Sequence, residues 1–445
     1  MIDTDAIRVD RELWAAPDGI GGMLSGDGSQ SRPYRVPGGS LDALLPVLGT
    51  SCRIRMLTGE FNVRHFSPPQ KTVLLHGAGV SATKINLPPN CTDGPFYPHI
   101  RMITDGGRYF TNFACTDMTI DGNWDAQPVH PNLKIQALSI EACVAHLRNV
   151  EVVNCGANGT LSGDAGLEAM PISVQTFANG DRQHYFPSMA FLWGAEPTTR
   201  LEVIDCRVRL SHFVKGGTET GIFIRTNSPA NRQPAGTRTT EAALVRGCSV
   251  ISPGGICYGG ADLDMVTYED NTGEGMCAFN ADSLTANRTT IQNNRFFNCA
   301  TGINVSPEHG GSGIRIDGNI VQLGGKFWNS VLRRFEPQWG IQLQRATGTG
   351  SRNVILVPDV LGLTPLSGIE GDNRVIVMGA TDSGALAEAQ ARLAEATHQV
   401  GVLTAKNSDL QTKLSDELLA SYEATARIVR LDKAVAGVRE AVREV

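Results

Sequence analysis

The sequence predicts an all-β solenoid, stacked turn upon turn from short parallel strands and followed by an α-helical coiled coil. Three observations lead there. An apolar phrase marked by asparagine or cysteine recurs at a little over twenty residues, a Gly-apolar phrase runs in step with it, and a heptad pattern takes over where both stop.

The first phrase is apolar-x-x-[Asn or Cys]. Its markers are Asn123, Cys155, Cys206, Cys248, Asn271, Asn294 and Asn319, and three residues before them stand Ile120, Val152, Val203, Val245, Tyr268, Ile291 and Ile316. The last four markers lie 23, 23 and 25 residues apart. Units of this size, built of strand-length apolar pieces, stack into solenoids because one unit cannot bury its apolar face alone. The second phrase appears at Gly221-Ile222-Phe223-Ile224, Gly255-Ile256-Cys257-Tyr258, Gly302-Ile303-Asn304-Val305 and Gly340-Ile341-Gln342-Leu343. Each turn therefore offers two or three strands with sharp bends between them. Asparagine suits such bends, since its amide bonds nearby backbone and it tolerates the left-handed region. Stacked on one another, the amides of successive turns can also hydrogen-bond along the solenoid.

Over roughly Asp27 to Ile376 this pattern resembles the right-handed parallel β-helix of the pectate-lyase-like superfamily. The N-terminal part is similar to β-helical tailspikes and head or tail fibres of bacteriophages. There a Gly-Asp-Gly element precedes a capping helix, a short strand and an apolar run ending Gly-x-Gly. The counterparts here are Gly26-Asp27-Gly28, Ser40 to Leu45, Leu57 to Phe61, and Leu74 to Gly79; no aspartate pair follows Gly28, and Thr58 stands in place of the usual proline. The resemblance implies a right-handed parallel β-helix, three chains per spike, other virion proteins as partners, and a host surface glycan as target.

Composition narrows the function classes. The chain has 445 residues with 49 glycines, which suits a turn-rich solenoid with a sizeable core. A formal net charge of −6 offers no basic footprint for nucleic acid. No apolar run of about 18 residues is present, so no membrane insertion is expected. The start MIDTDAIRVDRELW lacks a basic stretch followed by an apolar one, so a secretory signal is not expected, and a virion protein freed by lysis needs none. Ten cysteines contain no Cys-x-x-Cys, and three of them occupy the asparagine slot. They are expected to be small buried side chains, with neither metal nor cofactor.

From Leu386 a heptad runs to Val445, with a positions from Leu386 to Val442 and d positions from Ala389 to Val445 that are apolar except at Asn407, Glu417 and Ser421. Such a seam predicts an oligomerising coiled coil of roughly 90 Å. Asn407 is expected to set its register. The expected organisation is therefore residues 1–25 as an N-terminal segment and candidate virion attachment, 26–380 as the solenoid, and 381–445 as the coiled coil of a homotrimer.

Chemistry is expected on insertions between strands. The stretch GDRQHYFPSMAFLWG carries His184, Tyr185 and Trp193, and a later one carries Trp328 and Trp339. Flat aromatic faces beside polar groups suit sugar rings, so these five are candidate glycan-binding residues. The richest acidic stretch, GGADLDMVTYEDNTGEG, offers Asp262, Asp264 and Glu274 as candidate acid and base. Asp262 and Asp264 alternate along a strand and would project from one face. Glycoside hydrolysis needs two such facing carboxyl groups. The Arg-x-Pro-x-x-Arg of pectate lyases and the aspartate pairs of polygalacturonases are absent. Two functions follow: a virion spike that binds host capsule, lipopolysaccharide or exopolysaccharide and depolymerises it, or a spike that only binds or builds the particle. A secreted bacterial carbohydrate-active enzyme is the third.

Overall fold

The structure is a computed structural model that describes residues 2–19, 23–92, 97, 99–106, 108–128, 133–157, 190–194, 200–210, 220–226, 241–324, 328–329, 334–335, 339–358 and 364–378. The chain divides into two compact units, Met1–Val377 and Met378–Val445. Apart from Met378 the second unit, with the whole heptad segment and Asn407, lies outside the described residues. No helix among the described residues is long and apolar enough to cross a membrane.

Among the described residues 27 strands hydrogen-bond into one continuous sheet, and its turn-to-turn ladders are parallel. Parallel strands buried on one face need apolar residues at every second position. One such column runs through Leu13, Ile54, Leu75, Cys115, Leu147, Val203, Val245, Tyr268, Ile291 and Ile316 in strict register. Every member is buried. Along a second ladder of the same sheet Ile222, Tyr258, Phe279, Ile303 and Ile341 align, a column that takes in residues of all four Gly-apolar phrases. The glycine is sterically required at Gly302, where an added Cβ would lie 2.0 Å from the carbonyl oxygen of Gly340 on the next turn.

The asparagine column is sharper than expected. Asn294 Oδ1 accepts from the main-chain N and from Nδ2 of Asn271, both at 3.0 Å, while its own Nδ2 donates to Tyr268 O at 3.0 Å and Asn319 Oδ1 at 2.9 Å. All four bonding positions of the amide are thus filled. The pattern repeats at Asn319, continues to Asn353 and ends at Asn373. Toward the N-terminus Asn271 Oδ1 accepts from Cys248 N, and a thiol takes over the inward donor role: Cys248 Sγ sits 3.4 Å from Val203 O.

Two details correct the sequence expectation. The left-handed corner belongs to the residue before each marker, in the column Asp205, Gly247, Asp270, Asn293, Gly318 and Arg352, with φ between 53° and 66°. The marker itself points inward. Asn123 and Cys155 also belong to a different corner. In register, the turns before Cys206 place Val150 and then Met118 in its column, so the ladder is apolar in the N-terminal half. Asn123 instead precedes a short 3-10 turn, and its Nδ2 bonds Leu87 O.

The N-terminal segment is not separate from the solenoid. Arg11–Gly19 is a strand that pairs in parallel with Ser51–Met56, making it part of the first turn. The expected capping helix is a 3-10 helix, Leu41–Val47, which buries Leu41 and Leu44 over that end. All ten cysteines are free thiols, nine of them buried.

The filled amides make a direct prediction. Asn294→Asp keeps the shape but turns a double donor into a carboxylate facing two acceptor oxygens, a change expected to cost about 3 kcal/mol or more. Chemical denaturation should show the loss, and an unchanged midpoint would remove the ladder from the fold's main supports.

Candidate functional site

The acids singled out in the sequence do not form an open pair. Asp262 closes the regular part of its strand in the left-handed region, with φ of 49°, which breaks the alternation that would have set it beside Asp264. Its carboxylate accepts from Arg225 Nη2 at 2.6 Å and Nε at 3.2 Å, and both residues are buried. Asp264 accepts from Arg288 Nε at 2.8 Å and Nη2 at 2.7 Å. Thr226 ties the two together, donating to Asp262 O and accepting from Asp264 N, both at 2.9 Å. A carboxylate engaged by a guanidinium at 1 to 2% exposure is a buried ion-pair partner, closed off from a substrate on the surface. Glu274 stands apart on the exposed surface, bonded by Asn298 Nδ2 at 3.1 Å.

The aromatic candidates are scattered. His184 and Tyr185 lie outside the described residues. Trp193 belongs to the strand Ala190–Gly194, in register with Glu141 and Arg225. Trp339 opens the strand Trp339–Leu343, half-buried, on the same sheet. Five strand steps separate the two strands, roughly 24 Å at the usual spacing. Trp328 pairs with Phe335 in an antiparallel ladder outside the main sheet.

The structure gathers chemistry elsewhere, on regular turns. In the strands whose inward residues are Ile54, Leu75, Cys115, Leu147 and Val203, the flanking positions face outward and form two columns. One holds Arg55, His76, Thr116 and Arg148; the other holds Arg53, Leu74, Ala114, His146 and Glu202. With the N-terminal residues Ile2 to Asp5, part of this face encloses a cleft of about 280 Å³ lined also by His76, Thr116, Asp117, His146 and Arg148. That approaches the lower end of small-ligand sites and would hold about one sugar ring.

Within it, His146 Nδ1 lies 3.1 Å from Glu202 Oε2, with both side chains buried. A carboxylate can only accept, so Nδ1 carries the proton of this bond, and Nε2 is the ring nitrogen turned away from it. Glu202 is further bonded by Arg200 Nη2 at 2.9 Å and the Ile2 amide at 2.7 Å. Burial pushes its pKa up, but the bonds from His146 and Ile2 and the charge of Arg200 outweigh this and hold it at about 2. His76 contacts Thr116 Oγ1 through Nδ1 at 3.1 Å, while its Nε2 is buried without a hydrogen-bond partner. Burial first, then the charges of Arg55 and Arg53, push His76 down to about 4, so it is neutral at pH 7.

Sequence reasoning looked to the insertions and missed this face. The signal was present as His146-x-Arg148, polar residues two apart inside an apolar strand pattern. Among the described residues no group of three or more His, Cys, Asp or Glu is placed to hold a metal ion.

Two predictions follow from these charges. Asp262→Asn removes the anion facing buried Arg225 and should destabilise the fold by about 3 kcal/mol, read as a lowered melting temperature. His76 sets a pH dependence: its folded pKa lies below the unfolded value, so the unfolded chain binds the proton first as pH falls. Stability should therefore decline from about pH 6.5 to about 4 by on the order of 2 kcal/mol from this group. His76→Gln should flatten melts across that window, and an unchanged slope would place the titration elsewhere.

Neither a family model nor a curated protein matches this chain. Among solved structures it is similar to the A-module of the mannuronan C-5 epimerase AlgE6 of Azotobacter vinelandii, at 13% identity and a TM-score of 0.27, over 76% of this chain and 94% of the module. The A-module of AlgE4 from the same organism is similar at 12% identity and a TM-score of 0.22, over 76% and 92%. The catalytic domain of Agl-KA is similar at 11% identity and a TM-score of 0.29, over 76% of this chain and 64% of that domain. At such values the likenesses assign no site.

Proposed function

We propose that this chain is a glycan-binding and glycan-processing β-solenoid whose site is the cleft at His146. The observation that carries it is the buried Glu202–His146 pair, which orients an imidazole with its Nε2 turned away from the carboxylate in a cleft the size of one sugar ring. An imidazole whose other nitrogen is held by a carboxylate is fixed in direction and in which nitrogen carries the proton of that bond. His146 would take a proton from the reacting sugar or an attacking water and return it to the leaving oxygen. Arg148 and Thr116 would bond sugar oxygens, and Glu202 would act as a positioning residue.

The finer reading is a virion spike or fibre. It draws on the sequence resemblance to phage β-helices and on the heptad seam, with a homotrimer, other virion proteins and a host surface polysaccharide as partners. An adhesin without activity is the alternative, and purified protein tests both. Incubation with host-type capsule or lipopolysaccharide should retain the protein on the glycan and release new reducing or unsaturated ends. His146→Gln should lower the rate by roughly a hundredfold or more while leaving retention intact. Glu202→Gln should lower it less and shift the pH profile. Retention without any new ends makes the protein an adhesin; unaltered cleavage by His146→Gln removes the cleft from the chemistry.

A further inference from the structure

The segment Ile2 to Ile7 lies over the outer face just described, and its first residues form one wall of the cleft. Leu74 and Ala114 occupy outward positions between inward neighbours, yet both are fully buried. Arg53 Nη2 donates to the main-chain oxygens of Thr4, Asp5 and Ile7 at 2.9, 3.2 and 3.0 Å, and its Nη1 to Glu12 at 3.0 Å. Arg55 Nη2 meets the Asp5 carboxylate at 3.3 Å, and the Ile2 amide bonds Glu202 beside His146. Asp3 Oδ1 accepts from the amides of Asp5 and Ala6, folding the segment on itself. It is not a strand of the sheet; side chains hold it.

These contacts show what the face demands. The segment supplies four acceptor oxygens to two guanidinium groups and covers a small apolar floor. Lifted away, it would leave Arg53, Arg55, Arg148, His76 and His146 facing outward against Glu12, Asp117 and Glu202. A sugar ring with an apolar C–H face, carboxylate oxygens for the two guanidinium groups and a hydroxyl to donate to Glu202 can replace those contacts.

We infer that Ile2 to Ile7, which walls the glycan cleft, is a displaceable strap, and that an acidic oligosaccharide extending from the cleft lifts it by placing carboxylates on the adjoining Arg53 and Arg55. The inference rests on the cleft being the glycan site. A binding-competent state that is only fractionally populated lowers apparent affinity by that fraction, so loosening the strap should tighten binding. The Asp5–Arg55 pair is exposed and a weak hold, which makes it a safe place to intervene.

Hydrogen exchange at the amides of residues 2–7 reads the strap directly. With the full-length protein, a hexamer of glucuronic acid should speed that exchange by roughly tenfold, and a neutral glucose hexamer should not. The double variant Asp3→Asn, Asp5→Asn should speed it without ligand and bind the acidic hexamer several-fold more tightly. Strap amides equally slow with and without the bound acidic hexamer would overturn the inference. Retention of the neutral hexamer alone, with the strap unmoved, leaves the glycan reading standing and makes the strap a fixed cap. If neither hexamer nor any surface glycan is retained by either protein, both readings fall.

Discussion

A buried primary amide is costly unless both of its donors and both acceptor positions are used, and within this ladder that requirement is met by the amides directly above and below together with main-chain groups of the adjoining turns. Asn294 has both, and is fully buried. The rest of the solenoid follows from that geometry. Amides stack in register only if each turn returns to the same place one strand spacing further on, so the ladder penalises any slip of register. A shift of one residue would also turn the inward column from Val203 to Ile316 out to water. The two penalties act on the same variable, which is why neighbouring turns agree so closely across strands of different length.

The corner beside the ladder shows how little sequence is needed to enforce this. The residue before each marker is Asp205, Gly247, Asp270, Asn293, Gly318 or Arg352, all in the left-handed region. Glycine, asparagine and aspartate enter it at small cost, whereas Arg352 does so against its own preference. Its amide donates to Asp372 O at 2.6 Å, so the backbone bond to the next turn is kept although the side chain is a poor choice. Stacking therefore overrides local propensity where the two conflict.

The part of this legible in the sequence was the part written in polar residues. From Cys206 onward, asparagine and cysteine in an apolar setting marked the column, and the stacked strands follow it. Before Cys206 the same column holds Val150 and Met118, which look like any other core residue, and the sequence offered Asn123 and Cys155 from a neighbouring corner instead. Asn353 and Asn373 were missed for another reason, since insertions stretch and shorten the spacing to 34 and 20 residues. The site was less legible still. Asp262-x-Asp264 reads as an alternating exposed pair until Arg225 and Arg288 are brought to it from other turns, and no spacing rule connects them.

His146 and Glu202 are 56 residues apart and meet because their strands are paired in register. Their burial on an outward face is a property of neither strand; it comes from the chain's first residues lying over them. Burial strengthens each hydrogen bond to Glu202 and raises the cost of leaving any one unmade, so that carboxylate stays ionised in a place that by itself favours the neutral acid. The same cover leaves His76 neutral with a nitrogen that bonds to nothing. A scaffold kept only for stability would gain by giving that nitrogen a partner or replacing the ring with an apolar one, since an unmet buried polar atom costs about 1 to 3 kcal/mol. The oriented imidazole in the same cleft distinguishes this face from the ion pairs at Asp262 and Asp264, where each carboxylate is already engaged by a guanidinium.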